Sequence, residues 1–79
     1  MPRLIAENTH RLSTRPWLLV TGRLEGEALR IGDELSLAGS EAAVVVRAIE
    51  LHGALPKTTV AADGDATSSI SEGAVLVRV

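Results

Sequence analysis

The chain has 79 residues, which leaves room for one domain, 1–79, and a domain of this size buries only roughly 60 to 65% of the surface its unfolded chain exposes, so a partner surface carries weight in its stability. Hydrophobic residues make up 46% of the sequence, yet Trp17 is the only aromatic and there is no cysteine, so the core must come from Val, Leu, Ile and Ala and neither a disulfide framework nor a thiolate metal site is available. The net charge is −2 but unevenly placed: residues 1–23 hold four arginines against one glutamate, a net +3, and residues 24–79 hold four basic and nine acidic side chains, a net −5.

Residues 4–12 mix apolar and polar side chains without a clean period and read as a first strand. The run at 16–24 is apolar and β-branched between a proline and a glycine, as a strand buried on at least one face would be. Pro16 suits the start of such a strand, where no ladder donor is required, and Gly22 inside it predicts a bulge or a close backbone approach. Glu25 and Gly26 supply a tight reversal into a short strand at 28–31, and Gly32 with Asp33 turns the chain again into 34–37, where polar and apolar residues alternate.

Gly39 and Ser40 fit a hairpin turn. The longest apolar segment follows at 42–51, where Val44, Val45 and Val46 favour strand over helix. Short strands are expected at 58–60, at the polar stretch 66–70 and at 74–79, separated by turns at Asp63-Gly64 and Ser71-Glu72-Gly73. The result is an all-β chain, a sandwich or small closed barrel of six to eight short strands. Its interior is assigned to Val20, Leu24, Leu29, Leu35, Leu37, Ile49, Leu51, Val75 and Val77, which fall on alternating faces between the turns.

GRLEGEALRIGDEL, residues 22–35, resembles the strand-turn-strand-turn signature of the second domain of translational GTPases of the elongation factor Tu type, with the middle glycine, Gly26, one place early. The resemblance continues through Arg47-Ala48-Ile49-Glu50-Leu51, through Ala62-Asp63-Gly64-Asp65 and through Gly73-Ala74-Val75-Leu76, and so covers residues 2–79. It implies a closed Greek-key β-barrel, here as a freestanding translation-factor-type domain. The chain contains no GxxxxGK[ST] loop, and its one lysine, Lys57, follows Pro56 away from any glycine-rich cradle, so GTP binding and turnover are not expected. The family's aliphatic strand and Arg-Gly loop beside the aminoacyl end of tRNA also have no counterpart, since Thr67-Ser68-Ser69-Ile70 runs directly into Ser71-Glu72-Gly73.

Catalytic and metal chemistry find little to stand on. His10 and His52 with Asp63 or Asp65 lack ligand spacing, and Ser68 or Ser69 lack a nucleophile elbow. The Asp63-x-Asp65-x-Thr67 stretch opens like a calcium loop but has Ser68 where that loop needs glycine and Ala74 where it needs glutamate. No enzyme, cofactor or metal is therefore expected.

The expectation is a non-catalytic interaction module that binds a protein partner or self-associates, the alternative being an RNA- or ribosome-associated accessory factor related to translation elongation. Candidate contact residues are Arg3, Arg11, Arg15, Trp17 and Arg23, with Trp17 open between a core anchor and, slightly favoured, a partly exposed interface residue. One aromatic and a negative total charge offer little to nucleic acid. With neither a signal-peptide stretch nor a run near the ~20 apolar residues of a membrane span, the expected location is cytoplasmic.

Overall fold

The computed structural model describes residues 2–51 and 57–78, apart from the side chains of Leu51 and Asp65. Within it the strands are β1 (Arg3–Arg11), β2 (Leu18–Glu25), β3 (Glu34–Leu37), β4 (Ala43–Leu51), β5 (Lys57–Asp63) and β6 (Val75–Arg78), with one short 3-10 helix at Asp65–Ser69 between β5 and β6. Every pairing is antiparallel and the sheet closes on itself in the order β1-β2-β5-β4-β3-β6. Strands β3, β4 and β5 follow one another as neighbours while β2 lies beside β5, which is a Greek key. The all-β closed barrel expected from turn spacing is thus present, with six strands.

Among the described residues the core cluster is aliphatic, with Thr58 and Thr59 of β5 the buried polar side chains. Leu4, Val20, Val46, Val60, Leu35 and Leu76 are wholly buried, with Ala6, Leu18, Val44 and Ala62 filling the gaps between them. Two connections plug the ends. Leu29, in the crossing from β2 to β3, closes one end; Ala66 and Ile70, in and just after the short helix, close the other. Without a large aromatic to span the lumen, many small contacts must do the same work, and tight packing matters at each.

Two bulges set the register. Opposite β2 the ladder shifts between Ala6 and Asn8, leaving Glu7 as the extra residue; opposite β5 it shifts between Val46 and Ala48, leaving Arg47. Each bulge reverses the facing of the residues that follow it. In β4 the inward series therefore runs Val44, Val46, Ile49 rather than through Ala48, with Ile49 partly buried against the core.

Several expectations need correction. Residues 28–31 form no strand: Leu29 is a buried plug, and Arg30 to Asp33 is a turn closed by the Asp33 N–H donating to the Arg30 carbonyl at 3.0 Å. Residues 66–69 lie in the short helix and Ile70 is the extended residue after it, rather than all forming a polar strand, and this places Ala66 and Ile70 in the core. In β6 the buried residue is Leu76, so Val75 and Val77, assigned to the interior, are only half-buried on the other face. Val20, Leu29 and Leu35 are buried as expected, and Leu24, Leu37 and Ile49 pack partly buried against them. Leu51 lies in β4, but its side chain, like all of His52 and Pro56, lies outside the described residues.

Gly32 is the third residue of the Arg30–Asp33 turn and has φ of 97°, the positive value a type II turn demands at that place. A Cβ built there meets nothing within 4 Å, so the whole cost of a side chain is conformational. Replacing Gly32 with Val is expected to lower stability by about 1 kcal/mol or more. An unchanged melting temperature would show that the turn relaxes freely.

Candidate functional site

Strand β1 is longer than its seam with β6, while β2 stays paired with β5 from Arg23 opposite Lys57 to Leu18 opposite Ala62. β1 pairs with β6 only at Arg3, Leu4 and Ile5, extended by the Ala6 N–H donating to the Ala74 carbonyl at 2.8 Å and the Gly73 N–H donating to the Ala6 carbonyl at 2.7 Å. Beyond Ala6 it pairs with β2 alone, from Asn8 opposite Thr21 to Arg11 opposite Leu18. Asn8, Thr9, His10 and Arg11 are all exposed, and so are Ser13 to Pro16 in the turn. The second half of β1 and the turn after it thus run past the β1–β6 seam as an arm with one uncovered edge, its other edge held by β2.

The candidate contact residues divide between the two ends of that hairpin. Arg3 lies opposite Glu25 at the open end, where its Nε donates to the Glu25 carboxylate at 3.1 Å and Nη2 joins the same oxygen; Arg23 approaches the other oxygen at 3.5 Å. Arg11, Arg15 and Trp17 sit at the arm. Arg3 and Arg11 are the two ends of the nine-residue β1, about 26 Å apart at the usual rise. The single basic segment of the sequence is therefore two sites, one whose arginines share Glu25 and one with no carboxylate.

On the arm the Arg15 guanidinium stacks over the indole of Trp17, 4.8 Å from the ring centroid. Such a pair contributes about 0.5 to 1 kcal/mol at an exposed site and holds both side chains in place. Trp17 is half-buried and does not belong to the core cluster. Neither Arg11 nor Arg15 has a carboxylate partner among the described residues, and residues 8–24 contain no acidic side chain.

Elsewhere most surface cations are engaged, the exception among the described residues being Arg30, which is exposed in the β2–β3 crossing and has no carboxylate partner for its side chain. Lys57 lies 2.9 Å from Glu7 Oε1, an oxygen shielded from solvent, in an ionic contact that gives the bulged residue a fixed partner. Arg47, the other bulged residue, donates through Nε to Asp63 at 3.2 Å. At the end plugged by Leu29, Arg78 reaches Glu27 at 3.4 Å and Asp33 at 4.0 Å. The bulge expected at Gly22 is present in the facing strand, at Glu7, whereas the Arg47 bulge and both ion pairs escaped the sequence reading, although an inward series broken at Arg47 is visible in the spacing of Val44, Val46 and Ile49.

Arg3 holds the Glu25 carboxyl below the usual carboxylate range, first through its hydrogen bond and then through its charge, with Arg23 adding a smaller pull. A carboxyl depressed in the folded state stabilises it above the unfolded value and loses that contribution as pH falls through the folded one. Replacing Arg3 with Gln is expected to move the Glu25 titration upward in carboxylate NMR. Any stability difference between the two proteins should be present at neutral pH and vanish in acid, and an unmoved titration would dissociate the pair in solution.

The outer face of β2, β5 and β4 carries a shallow depression of about 200 Å³ lined by Leu19, Ala61, Ala48, Ile49, Thr59 and Glu50. The Thr21 and Thr59 hydroxyls lie 2.7 Å apart along its edge. No acid, base and nucleophile converge there. Among the described residues, no three His, Asp or Glu side chains are grouped to hold a metal ion, His52 and the side chain of Asp65 lying outside them. No helix among the described residues is long and apolar enough to cross a membrane.

Fold and site together define a small antiparallel barrel with a basic, aromatic-tipped hairpin arm. Compared with known proteins, the chain matches no family model and no curated protein.

Proposed function

We propose that this domain is a non-catalytic, cytoplasmic interaction module of the translation-factor barrel type, and that it engages a protein partner through the β1–β2 arm. One observation carries the reading. The arm gathers Arg11 and Arg15, both without carboxylate partners, beside a half-buried Trp17, whereas Arg3, Arg23, Arg47, Lys57 and Arg78 are each tied to an acidic side chain of the same chain, and Arg30, which also lacks a carboxylate, makes no contact with the single aromatic. Tryptophan and arginine are the side chains that most often dominate binding energy, and a Trp held by a stacked Arg is pre-positioned for contact. The Greek-key strand order supports the barrel resemblance, and these 79 residues hold no phosphate loop with which the barrel itself would bind GTP.

The same side chains favour one second reading, an RNA- or ribosome-associated accessory factor, since two arginines and an indole also suit phosphates and a stacked base. Affinity capture from native lysate, with wild type compared with the Arg11→Ala, Arg15→Ala, Trp17→Ala variant, tests both. The protein-partner reading expects captured proteins that survive ribonuclease and are lost with the variant. Capture abolished by ribonuclease would move the assignment to RNA, and identical capture by the variant would remove the arm from the account.

A further inference from the structure

The arm carries an unpaired strand edge as well as unpaired charge. In an antiparallel ladder, residues alternate between those whose N–H and C=O face the neighbouring strand and those whose groups face away. The Leu12 N–H donates to the Trp17 carbonyl at 3.3 Å, which makes that pair a hydrogen-bonded one. Counting back, His10 and Asn8 face β2, while Arg11 and Thr9 direct their backbone groups outward. Ala6, before the bulge, also faces outward, and there its groups are taken by Ala74 and Gly73. The bulge at Glu7 shifts the alternation by one residue, and after it no strand covers the edge among the described residues.

We propose that this edge, from Thr9 to Arg11, is a strand-addition site for an extended acidic segment of a partner protein. The proposal rests on the reading of the domain as a protein-interaction module and names the partner's chemistry. An extended peptide supplies donors and acceptors in alternation, as Thr9 and Arg11 require, whereas a phosphate backbone accepts hydrogen bonds but has no regular donors for the outward carbonyls. Charge selects the sign. Arg11 lies on the edge itself and Arg15 in the turn beyond it, with no carboxylate in residues 8–24, so an acidic strand is attracted along its length.

A second copy is disfavoured by the same charges. Antiparallel pairing of two arms would bring a second Arg11 and Arg15 to the edge, and like charges facing across strands are destabilising. The Glu7 bulge and the Arg11 charge are also devices that keep edges from pairing indiscriminately. An acidic strand is the occupant that turns this repulsion into attraction.

The test uses the full chain, labelled with nitrogen-15, and a capped peptide of four Glu-Val repeats. Addition should shift the Thr9 and Arg11 amide resonances and slow their hydrogen exchange. A Lys-Val peptide, an oligouridine RNA and a Glu-Val peptide N-methylated at every second residue should bind about tenfold more weakly or worse. Thr9→Pro removes only an outward donor, which edge strands tolerate; it should keep the melting temperature and lose the peptide, as should Arg11→Glu. Equal binding of the N-methylated peptide, stronger binding of the RNA, arm amides that do not respond, or a concentration-dependent dimer held through Thr9 would each overturn strand addition by an acidic partner. Arm-dependent lysate capture alongside an unresponsive Thr9 would leave the interaction-module reading standing and remove this one alone.

Discussion

Gly22→Ala is expected to destabilise the protein by about 3 kcal/mol or more, the upper range for forcing volume into a packed site. A Cβ on Gly22 would stand 2.0 Å from the Ile5 carbonyl oxygen and 2.8 Å from its carbon. Both are backbone atoms of β1, the strand that joins β2 to β6, so relief requires moving the ladder that closes the barrel. A domain of this length holds about 4 to 12 kcal/mol in total, and the substitution removes a large part of it. Urea unfolding followed by circular dichroism measures the loss. A midpoint close to wild type would mean that the β1–β2 crossing is looser than drawn.

Leu76→Ala should cost about 2 to 5 kcal/mol, against about 1 kcal/mol or less for Val75→Ala or Val77→Ala. Leu76 is wholly buried and opposes Leu4, also wholly buried, across the β1–β6 seam. Its two valine neighbours point to the half-buried outer face. With only aliphatic side chains in the core cluster, nothing nearby has the reach to fill the void left by a leucine. The order of the three melting temperatures checks the register of β6, and a reversed order would place the strand one residue out.

That register is also where the sequence stopped being legible. Val75, Leu76 and Val77 are all apolar, so alternation carries no signal in β6, and the facing is decided by its pairing with β1. The same limit applies to the plugs. Leu29 and its neighbours alternate like a strand, and the Thr-Ser stretch near Ala66 has strand-like composition, but neither stretch pairs with a strand of the barrel. Their apolar residues go to the barrel ends instead.

Glycines were more legible than hydrophobics. The close approach at Gly22 and the positive φ at Gly32 could both be read in advance, since each follows from a missing Cβ rather than from the rest of the fold. For the candidate site, composition located the basic segment but not its division. Pairing Arg3 with Glu25 depends on a hairpin whose register is set by the Glu7 bulge, and only that register separates the arginines that share Glu25 from Arg11 and Arg15.

The central claim is that the arm meets a protein partner, and a photocrosslinking amino acid at position 14, in the exposed turn of the arm, tests it directly. A second variant carries the same group at position 40, in the exposed β3–β4 turn. After irradiation in native lysate, position 14 should give a discrete protein adduct that resists ribonuclease and position 40 should give none. An adduct at position 40 alone, or none at either position, would contradict the assignment of the arm as the contact.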